Sequence, residues 1–335
     1  MKKLYVEMPA GELRESFIPK HIREYAEKYF DVTYNEAETH PEKAELNKIL
    51  KDYDAVITGW GTKTLDEEVL SGNDRLKLML HTGGTVGNYV DDYTYEHGVK
   101  VLSGNIMYAE SVAEGTVAYM MVGLRRIPTY VQMVREGSWP SQTAVSEGLL
   151  DRTVGIISLG TISRKVIEML QCFRVKIKIH SNYKPEDEFM EKNNCEMASL
   201  DEIFETCDII SVHSALNDKT RGMIKKEHFQ KIKDGALFIN TARGGVIDEE
   251  ALIEELKKNR FNALLDVYYQ EPLAEDSPLR TLPNVIPMPH MAGPTVDRRE
   301  WITKALIDEA VKFFNGETES DFEITHEVSK RMTKM

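Results

Sequence analysis

Cysteine and long apolar runs are both scarce in this chain, and each scarcity excludes a class of protein. The 335 residues include three cysteines, Cys172, Cys195 and Cys207. An odd number of cysteines without metal-ligand spacing predicts neither a disulfide framework nor a zinc site. No apolar run reaches the roughly 20 residues that a membrane helix requires, and residues 1–6 lack the apolar core of a signal peptide. We therefore expect a cytoplasmic protein without a structural metal.

Positive charge is scarce as well. Lys and Arg number 42 against 55 Asp and Glu, so the formal net charge is −13. A general nucleic-acid binder needs a basic face, and this balance argues against one. The balance does not exclude small anionic ligands, because local potential matters more than total charge. With 41% hydrophobic residues, the composition is that of an ordinary globular protein.

Apolar strand-like runs alternate with segments of helical periodicity through most of the chain, a pattern typical of parallel α/β layers. The predicted strands are residues 4–8, 55–59, 76–81 and 99–103, followed by 153–157, 175–180, 208–213, 236–240, 263–267 and 285–288. Two groups of strands in a chain of this length predict two α/β domains. We expect a long, largely buried helix over residues 109–126 to connect them and a helix over residues 297–314 to return to the first. The tail, residues 316–335, is expected to dock.

A dinucleotide-binding loop is predicted where the fifth of these strands ends. Ser158, Gly160, Thr161 and Ile162 follow the apolar run 153–157 and open a segment of helical periodicity. This is the strand–turn–helix context of a dinucleotide fingerprint, and the helix N-terminus would present N–H groups to a pyrophosphate. Of the three usual glycines only Gly160 is present, since Ser158 and Ser163 replace the others. A plain strand-to-helix connection is the alternative.

The residue after the next predicted strand, residues 175–180, affects whether NAD or NADP binds. An acidic residue there would bind an unphosphorylated ribose and repel a 2′-phosphate. The chain has the neutral Ser181 at this position, and Lys184 follows it. We therefore expect NAD or NADP, with a slight preference for NADP. The alternative is that Lys184 is a solvated loop residue and that NAD binds without an acidic anchor.

Three side chains later in the chain could together reduce a carbonyl group. Arg243 follows the strand-like run 236–240, so we expect it at the carboxyl end of a strand, where open α/β sheets bind ligands. Its guanidinium keeps its proton at working pH, and its planar fork suits a carboxylate. His290 can give and take a proton near neutrality, and Glu271 beside it would orient its ring. Singly, each residue is more simply a surface or core-edge residue; in this order and context they predict a catalytic site.

The order and spacing of these motifs resemble the D-isomer-specific 2-hydroxyacid dehydrogenase family over nearly the whole chain. The strongest stretches are residues 155–163, 208–216, 234–256, 263–272 and 282–293. The resemblance implies two Rossmann-like parallel-sheet domains. A dinucleotide-binding domain, residues 104–294, would be inserted into a flavodoxin-like substrate domain formed by residues 1–103 and 295–335. The resemblance also implies a homodimer.

The same resemblance implies roles for the three catalytic candidates. Arg243 would bind the substrate carboxylate and carbonyl, His290 would be the general acid/base, and Glu271 would be its partner. Cofactor contacts are implied for His213 and Asp266, the latter with the nicotinamide carboxamide. For His213 a core histidine is the alternative.

Further contacts are expected from residues close to these motifs. Thr241, in the same turn as Arg243, is expected to contact the cofactor. Trp60, Gly84 and Thr85 are expected to contact the substrate, with Trp60 lining an apolar side-chain pocket. A packed aromatic is the alternative for Trp60. The substrate loop departs from the family pattern, because it lacks the usual aspartate and has Gly87 there.

The sequence therefore predicts an NAD(P)-dependent oxidoreductase that interconverts a 2-keto acid and a D-2-hydroxy acid. We expect no nucleic-acid and no membrane partner. The alternative from another class is a dinucleotide-sensing binding protein of the corepressor type, which the replaced glycines favour. A formate dehydrogenase-like enzyme is a weaker alternative, because that branch pairs its histidine with Gln and this chain has Glu271.

Overall fold

The computed structural model describes residues 1–142 and 144–332. The chain forms two compact units, Met1–Tyr108 with Pro294–Met335, and Ala109–Gly293. Each unit is built on its own parallel sheet. The last three residues of the predicted segment 295–335, which also end the predicted tail, lie outside the described residues.

In its described residues, the first unit contains five strands and seven complete helices. The strands are β1 (Lys2–Val6), β2 (Phe30–Tyr34), β3 (Ala55–Thr58), β4 (Leu78–His81) and β5 (Lys100–Ser103). The helices are α1 (Glu12–Phe17), α2 (Lys20–Ala26), α3 (Lys43–Leu50), α4 (Glu67–Leu70), α5 (Asp92–Glu96), α13 (Val296–Phe314) and α14 (His326–Ser329). The sheet order is β2-β1-β3-β4-β5, with every pair parallel. This is the flavodoxin-like order.

Within residues 109–142 and 144–293, the second unit contains seven strands. They are β6 (Thr153–Ile157), β7 (Lys176–His180), β8 (Cys195–Met197), β9 (Ile209–Val212), β10 (Leu237–Asn240), β11 (Asn262–Leu265) and β12 (Val285–Pro287). The sheet order is β12-β11-β10-β9-β6-β7-β8. Counted from β6, this is the doubly wound order 3-2-1-4-5-6 with one strand added at its end. The predicted fold class, a Rossmann-like unit inserted into a flavodoxin-like one, is confirmed.

Helices flank this second sheet. They are α6 (Asn105–Leu124), which begins in the first unit, and α7 (Ile127–Arg135), α8 (Thr161–Leu170), α9 (Asp187–Lys192), α10 (Leu200–Thr206), α11 (Lys226–Lys231) and α12 (Glu249–Leu256). Short 3-10 turns cover Gln171–Phe173, Gly244–Val246 and Pro278–Arg280. In the described part of the chain, no helix is both long enough and apolar enough to cross a membrane.

Both faces of each sheet are buried, as parallel sheets require. On one face of the first sheet, Leu4 and Ile57 pack with Leu306 of α13. On the other face, Tyr5 and Val56 join a separate apolar cluster. The second sheet likewise separates two apolar clusters. Double-sided burial explains why the strands read as continuous apolar runs in the sequence.

All ten predicted strands are present, with ends shifted by no more than two residues. Two strands were missed, β2 and β8, and each lies at the edge of its sheet. β2 alternates buried and exposed positions, and β8 is three residues long with two of them exposed. An edge strand needs no continuous apolar run, so the signal that revealed the central strands is absent there.

The predicted helices are also present. The connecting helix α6 begins four residues before the predicted start, where the Asn105 N–H donates to Ser103 Oγ at 3.2 Å. The return helix α13 packs into the first unit through Leu306. The tail docks on β5, because the Ser103 N–H donates to Phe322 O and the Ile324 N–H donates to Val101 O, each at 2.9 Å.

Candidate active site

Arg243 stands in a turn that its own strand fixes. β10 ends at Asn240, whose buried side chain accepts from the Ala242 N–H at 3.0 Å and donates to Arg243 O at 3.1 Å. The guanidinium donates through Nη1 to Ala242 O at 2.7 Å, and its buried Nε has no partner among the described residues. Burial lowers the pKa of Arg243, and the charge of Glu271 opposes that shift. The side chain remains a cation at neutral pH.

Glu271 and His290 form the hydrogen bond that the sequence suggested. His290 Nδ1 lies 2.7 Å from Glu271 Oε2, and the other carboxylate oxygen accepts from the Tyr268 N–H at 3.1 Å. The side chains are 47% and 37% exposed, so both remain accessible to a small molecule. Because Nδ1 is engaged with a carboxylate, Nε2 is the nitrogen that faces other partners.

The backbone at His290 is held in an unusual conformation. Its φ is +57°, in the left-handed region that residues with a β-carbon seldom adopt. The next two N–H groups, Met291 and Ala292, donate to Asp266 Oδ1 and Oδ2, each at 2.8 Å. Tyr119 donates to the same carboxylate at 3.1 Å. Asp266 therefore stabilises the segment that orients the imidazole.

Gly244 allows the glutamate loop to approach the arginine turn. A β-carbon at Gly244 would lie 1.9 Å from the carbonyl carbon and oxygen of Tyr268 and 2.4 Å from Tyr269 N. Those atoms are backbone, so they cannot move aside as a flexible side chain would. The Tyr269 N–H also donates to Glu249 Oε2 at 2.8 Å, which ties the loop to α12. A cavity of about 520 Å³ opens beside the loop, and Glu271 and His290 contribute to its lining.

The predicted cofactor residues lie along one edge of the second sheet. Ser158 follows β6, Ser181 follows β7, His213 follows β9 and Thr241 follows β10. These four strands are neighbours in the order β10-β9-β6-β7, and all are parallel. Their carboxyl ends therefore meet at a common edge, the place where doubly wound sheets bind dinucleotides.

Ser158 and Ser163 occupy two of the three positions that glycines hold in the usual dinucleotide-binding loop. Ser158 has a φ of +74°, and its hydroxyl lies 2.5 Å from that of Ser214. Ser163 is fully buried and accepts from the Gly160 N–H at 2.8 Å. A β-carbon at Gly160 would meet no heavy atom within 4 Å, so open space lies beside this glycine at the start of α8.

Thr161 and Ile162 are the first two residues of α8. The first N–H groups of a helix have no partner inside that helix. This N-terminus, with open space at Gly160, fits the phosphates of a dinucleotide. The residues present are thus compatible with a nicotinamide dinucleotide in this loop.

The loop after β7 contains Tyr183, which the sequence analysis did not identify. Tyr183 donates from its hydroxyl to Leu159 O at 2.8 Å, which joins this loop to the glycine loop. Lys184 pairs with Asp187 at 2.5 Å, and both side chains are exposed. The positive charge of Lys184 is therefore partly balanced by the Asp187 carboxylate. Ser181 accepts a long contact from the Tyr183 N–H at 3.4 Å.

His213, Thr241 and Asp266 have protein partners of their own. His213 Nε2 lies 2.9 Å from Ser211 Oγ, and burial lowers the pKa of His213 to about 4, so the ring is neutral at pH 7. Thr241 Oγ1 lies 3.1 Å from Thr116 Oγ1 of α6. Asp266 already accepts three hydrogen bonds, and a carboxylate has about four acceptor sites. Its contact with the nicotinamide stays a prediction.

Of the predicted substrate residues, Trp60, Gly84 and Thr85 belong to the first unit, whereas Arg243 belongs to the second with the other catalytic and cofactor candidates. Trp60 is 38% exposed. A β-carbon at Gly84 would touch the Tyr108 ring at 3.2 Å. Thr85 accepts from the Gly87 N–H through its hydroxyl at 3.3 Å.

The loop that carries Trp60 is anchored by two residues that the sequence analysis missed. The fully buried Glu7 accepts from Thr62 Oγ1 at 2.6 Å and lies 2.7 Å from His40 Nδ1. The hydrogen bond to Glu7 raises the pKa of His40. The available signal was a glutamate within the apolar run predicted as a strand over residues 4–8.

Comparisons with known proteins agree with this architecture. The family model "D-isomer specific 2-hydroxyacid dehydrogenase, NAD binding domain" matches residues 117–292. Hydroxypyruvate reductase of Thermotoga maritima is 33% identical over 276 residues, which are 82% of this chain and 89% of that protein. D-3-phosphoglycerate dehydrogenase of Methanocaldococcus jannaschii is also 33% identical over 279 residues, 82% of this chain, but the match covers 52% of that protein. The chain thus spans about half the length of this second relative.

A solved structure extends the likeness to the whole fold. A phosphoglycerate oxidoreductase from Rhizobium etli superposes with a TM-score of 0.80 at 22% identity, covering 97% of this chain and 99% of that one. The two parallel sheets and the matches define a nicotinamide dinucleotide-dependent oxidoreductase that acts on CH–OH donors. The chain belongs to the D-isomer-specific 2-hydroxyacid dehydrogenase family. The comparisons do not support the alternative of a dinucleotide sensor without turnover.

Gly244 provides a test of the loop geometry. We expect Gly244→Ala to destabilise the fold by about 1–3 kcal/mol, the usual range for overpacking, and to lower kcat/KM, because the backbone that positions Glu271 must shift. Gly245→Ala is the matched control, since its β-carbon would meet only side-chain ends of Leu216 and Arg221 at 3.1 Å or more. Urea unfolding and steady-state assays measure both effects. Equal behaviour of the two variants would contradict the account.

Proposed function

We propose that this chain reduces a small 2-keto acid to the D-2-hydroxy acid, with Arg243, Glu271 and His290 as its catalytic groups. The observation that carries the proposal is the 2.7 Å hydrogen bond between Glu271 Oε2 and His290 Nδ1. It leaves Nε2 of an exposed imidazole directed away from its carboxylate. A half-exposed histidine fixed in this way is suited to proton transfer with a small substrate.

Arg243 acts on the acid end of the substrate in this proposal. Its guanidinium can bind the substrate carboxylate through two parallel N–H bonds, and its positive charge polarises the adjacent keto oxygen. The partnerless buried Nε supports this role, because a buried donor is expected to have an acceptor. A second donor at Nη1 is occupied by Ala242 O, which fixes the plane of the fork.

His290 supplies the proton. The hydride that reduces the carbonyl carbon would be supplied by a nicotinamide dinucleotide held at the edge of the second sheet. His290 Nε2 gives its proton to the oxygen, so that C=O becomes CH–OH, and the ring regains a proton from solvent. Glu271 holds Nδ1 throughout and balances the positive charge of the ring before transfer. In the oxidative direction Nε2 accepts the hydroxyl proton.

The cofactor would bind at the edge of the second sheet where the carboxyl ends of β10, β9, β6 and β7 meet. Ser158, Gly160, Thr161 and Ile162 are proposed to bind the pyrophosphate through the start of α8. Ser181 and Lys184 are proposed to lie at the adenosine ribose. His213, Thr241 and Asp266 are proposed to lie nearer the nicotinamide. Open space at Gly160 and the shared strand edge support this assignment.

His290 and Glu271 give the direct test of the mechanism. We expect His290→Gln to lower kcat/KM for keto-acid reduction by about 10²–10⁴-fold, the usual contribution of a general acid. Glu271→Gln is expected to lower it by about 10–100-fold, since one charged hydrogen bond is lost. Melting temperatures should change little, because both side chains are half-exposed. His21→Gln, on an exposed histidine paired with Glu300, is the control; near wild-type reduction by His290→Gln would refute the role.

For the coenzyme we propose NADP over NAD. This preference is supported by Ser181, a neutral residue that directly follows β7 at the position where an acidic residue would favour NAD. Lys184 could contribute positive charge if a 2′-phosphate displaces Asp187 from it.

Ser181→Asp tests this coenzyme preference. A carboxylate there should repel the 2′-phosphate and accept from a free ribose, so the ratio of kcat/KM with NADPH to that with NADH should fall about tenfold or more. Ser181→Asn, which adds the same volume without charge, should change the ratio much less. A wild-type enzyme that prefers NADH, or an Asp variant that keeps the ratio, would contradict the assignment.

We propose that the enzyme is a homodimer in which a second copy covers α7. No residue of α7, all of which the structure describes, is buried. Ile127, Val131 and Val134 are 44%, 44% and 51% exposed, and Trp139 beyond the helix is 83% exposed. Ile127, Val131 and Val134 share one face of α7 at positions i, i+4 and i+7, and an exposed apolar face is typical of a protein interface.

Charge placed on α7 tests the dimer. The double variant Val131→Glu, Val134→Glu should run as a monomer in sedimentation velocity while the wild type runs as a dimer, because two carboxylates would be buried without partners. Val328→Glu, at an exposed valine of α14, should remain dimeric. The same mass for wild type and double variant would contradict the proposal.

A further inference from the structure

A second carboxylate, that of Glu249, lies close to the proposed proton donor within the second unit. Glu249 is the first residue of α12, and its Oε2 accepts from the Tyr269 N–H at 2.8 Å. Glu271 Oε1 accepts from the N–H of the preceding residue, Tyr268, at 3.1 Å. Because neighbouring residues are about 3.8 Å apart along the chain, the two carboxylates lie within roughly 10 Å of each other. Two acidic side chains thus bind successive N–H groups of one loop.

The loop that joins these two carboxylates is tightly held. The Tyr268 ring is buried, and its hydroxyl lies 2.9 Å from Leu265 O and 2.8 Å from Met288 O. The backbone of Tyr268 and Tyr269 also lies against Gly244, where there is no room for a β-carbon. The loop therefore has little freedom to separate the two acidic side chains.

The charge of Glu249 is not paired with a cation. No salt bridge to Glu249 forms within residues 1–142 and 144–332, and its side chain is partly buried. Burial raises the pKa of Glu249, the Tyr269 N–H opposes that shift, and the charge of Glu271 adds to it. The negative charge is therefore less stable at this position than it would be in water.

The charged groups around Glu249 come from three elements. On α12 its neighbours are Asp248, which caps the helix, and Glu250, which is exposed. In the turn before α12, burial lowers the pKa of Arg243, and the charge of Glu271 opposes that shift. The loop after β11 contributes Glu271 itself, a like charge. Glu249 thus adds a negative charge to a site that already contains a carboxylate.

Tyr268 is the other titratable group in contact with this loop. Burial raises the pKa of its hydroxyl to about 12, and its hydrogen bond to Met288 O opposes that shift. The carboxylates whose charges add to the shift are those of Asp266, Glu271 and Glu249. The phenol is therefore neutral at working pH, and the negative charge of the loop comes from its carboxylates.

The ionised Glu249 costs the folded state stability at neutral pH. A carboxyl group whose pKa is raised by folding destabilises the fold once the pH exceeds that pKa. A glutamine of nearly the same size would still offer an oxygen to the Tyr269 N–H without this cost. Charges held against stability are characteristic of functional sites. The charge of Glu249 therefore calls for a functional explanation.

We propose that Glu249 is a positioning residue whose negative charge favours the protonated form of the Glu271–His290 pair. Reduction requires the imidazolium, because Nε2 must hold the proton that the keto oxygen receives. A second carboxylate near the pair stabilises this cation more than the neutral ring, so the pair stays protonated to higher pH. Glu249 thereby extends keto-acid reduction toward alkaline pH. This inference rests on the proposed role of His290.

The pH profile of kcat/KM, measured on the full-length enzyme with its coenzyme and hydroxypyruvate or glyoxylate, tests the effect of the charge. We expect Glu249→Gln to move the alkaline midpoint down by about 0.3–1 pH unit, the effect of one charge at this range. On the alkaline side, kcat/KM should then be about two- to tenfold lower than in the wild type. Glu249→Asp keeps the charge and should keep the midpoint within about 0.2 pH unit. Glu250→Gln removes an exposed charge from the same helix turn and should leave the midpoint unchanged.

The melting temperature provides a readout that a packing role would not reproduce. Glu249→Gln should melt higher than the wild type at about pH 7–8 and the same as the wild type at about pH 4, where the carboxyl group is neutral. Glu250→Gln loses the same interaction with the helix N-terminus, so the difference between the variants isolates the effect of the loop. A lower melting temperature at every pH, with kcat/KM reduced equally across the profile, would overturn the proposal.

An NMR titration separates this inference from the proposed function. The ¹⁵N signals of the His290 ring, followed against pH in the full-length protein without substrate, report protonation whether or not the enzyme turns over. A lower midpoint in Glu249→Gln, together with full activity of His290→Gln, would sustain the effect of the charge and refute the proposed function. An unchanged midpoint in Glu249→Gln, together with an inactive His290→Gln, would overturn this inference and leave the proposed function standing.

Discussion

The hydrogen bond between Glu271 and His290 is the interaction on which the chemistry of this protein depends. It joins two residues 19 apart in the chain, and three further features hold it in place. Glu271 also accepts from the Tyr268 N–H, Gly244 allows that backbone to come close, and Asp266 receives the two N–H groups after His290. The left-handed backbone at His290 costs roughly 1–3 kcal/mol, and these hydrogen bonds offset it.

The glycine loop shows that a dinucleotide-binding turn can keep its shape with fewer glycines. Ser158 adopts the positive φ that normally selects glycine, and its hydroxyl contact with Ser214 accompanies that conformation. Ser163 uses its hydroxyl to bond the Gly160 N–H at the start of the helix. The one glycine that remains stands where a side chain would enter open space. The loop therefore keeps its conformation although serines replace two of its usual three glycines.

The sequence was informative where burial is two-sided and where residue types are chemically specific. Central strands read as apolar runs because parallel sheets are covered on both faces. Arg243, Glu271 and His290 could be selected because few side chains combine their acid–base properties. The edge strands β2 and β8 have one neighbouring strand each, and their mixed patterns gave no comparable signal.

Other site residues were out of reach for a different reason. Glu7 and His40 are ordinary residues in the linear chain, and their role in holding the Trp60 loop comes from what the fold places beside them. Arg299 is distant from Trp60 in sequence, yet its guanidinium carbon lies 5.8 Å from the centre of that ring, and the lack of a partner for its buried Nε among the described residues is visible only in the structure. Such features follow from packing, which periodicity and spacing do not encode.

The most direct measurement of the central claim is the protonation pattern of the His290 ring by ¹⁵N NMR in the full-length protein, with His290→Gln used to assign the signal. In the neutral ring the account predicts a proton on Nδ1, facing the Glu271 carboxylate, and a bare Nε2. Glu271→Gln should remove this bias. A neutral wild-type ring with its proton on Nε2, or a pattern that Glu271→Gln leaves unchanged, would contradict the account.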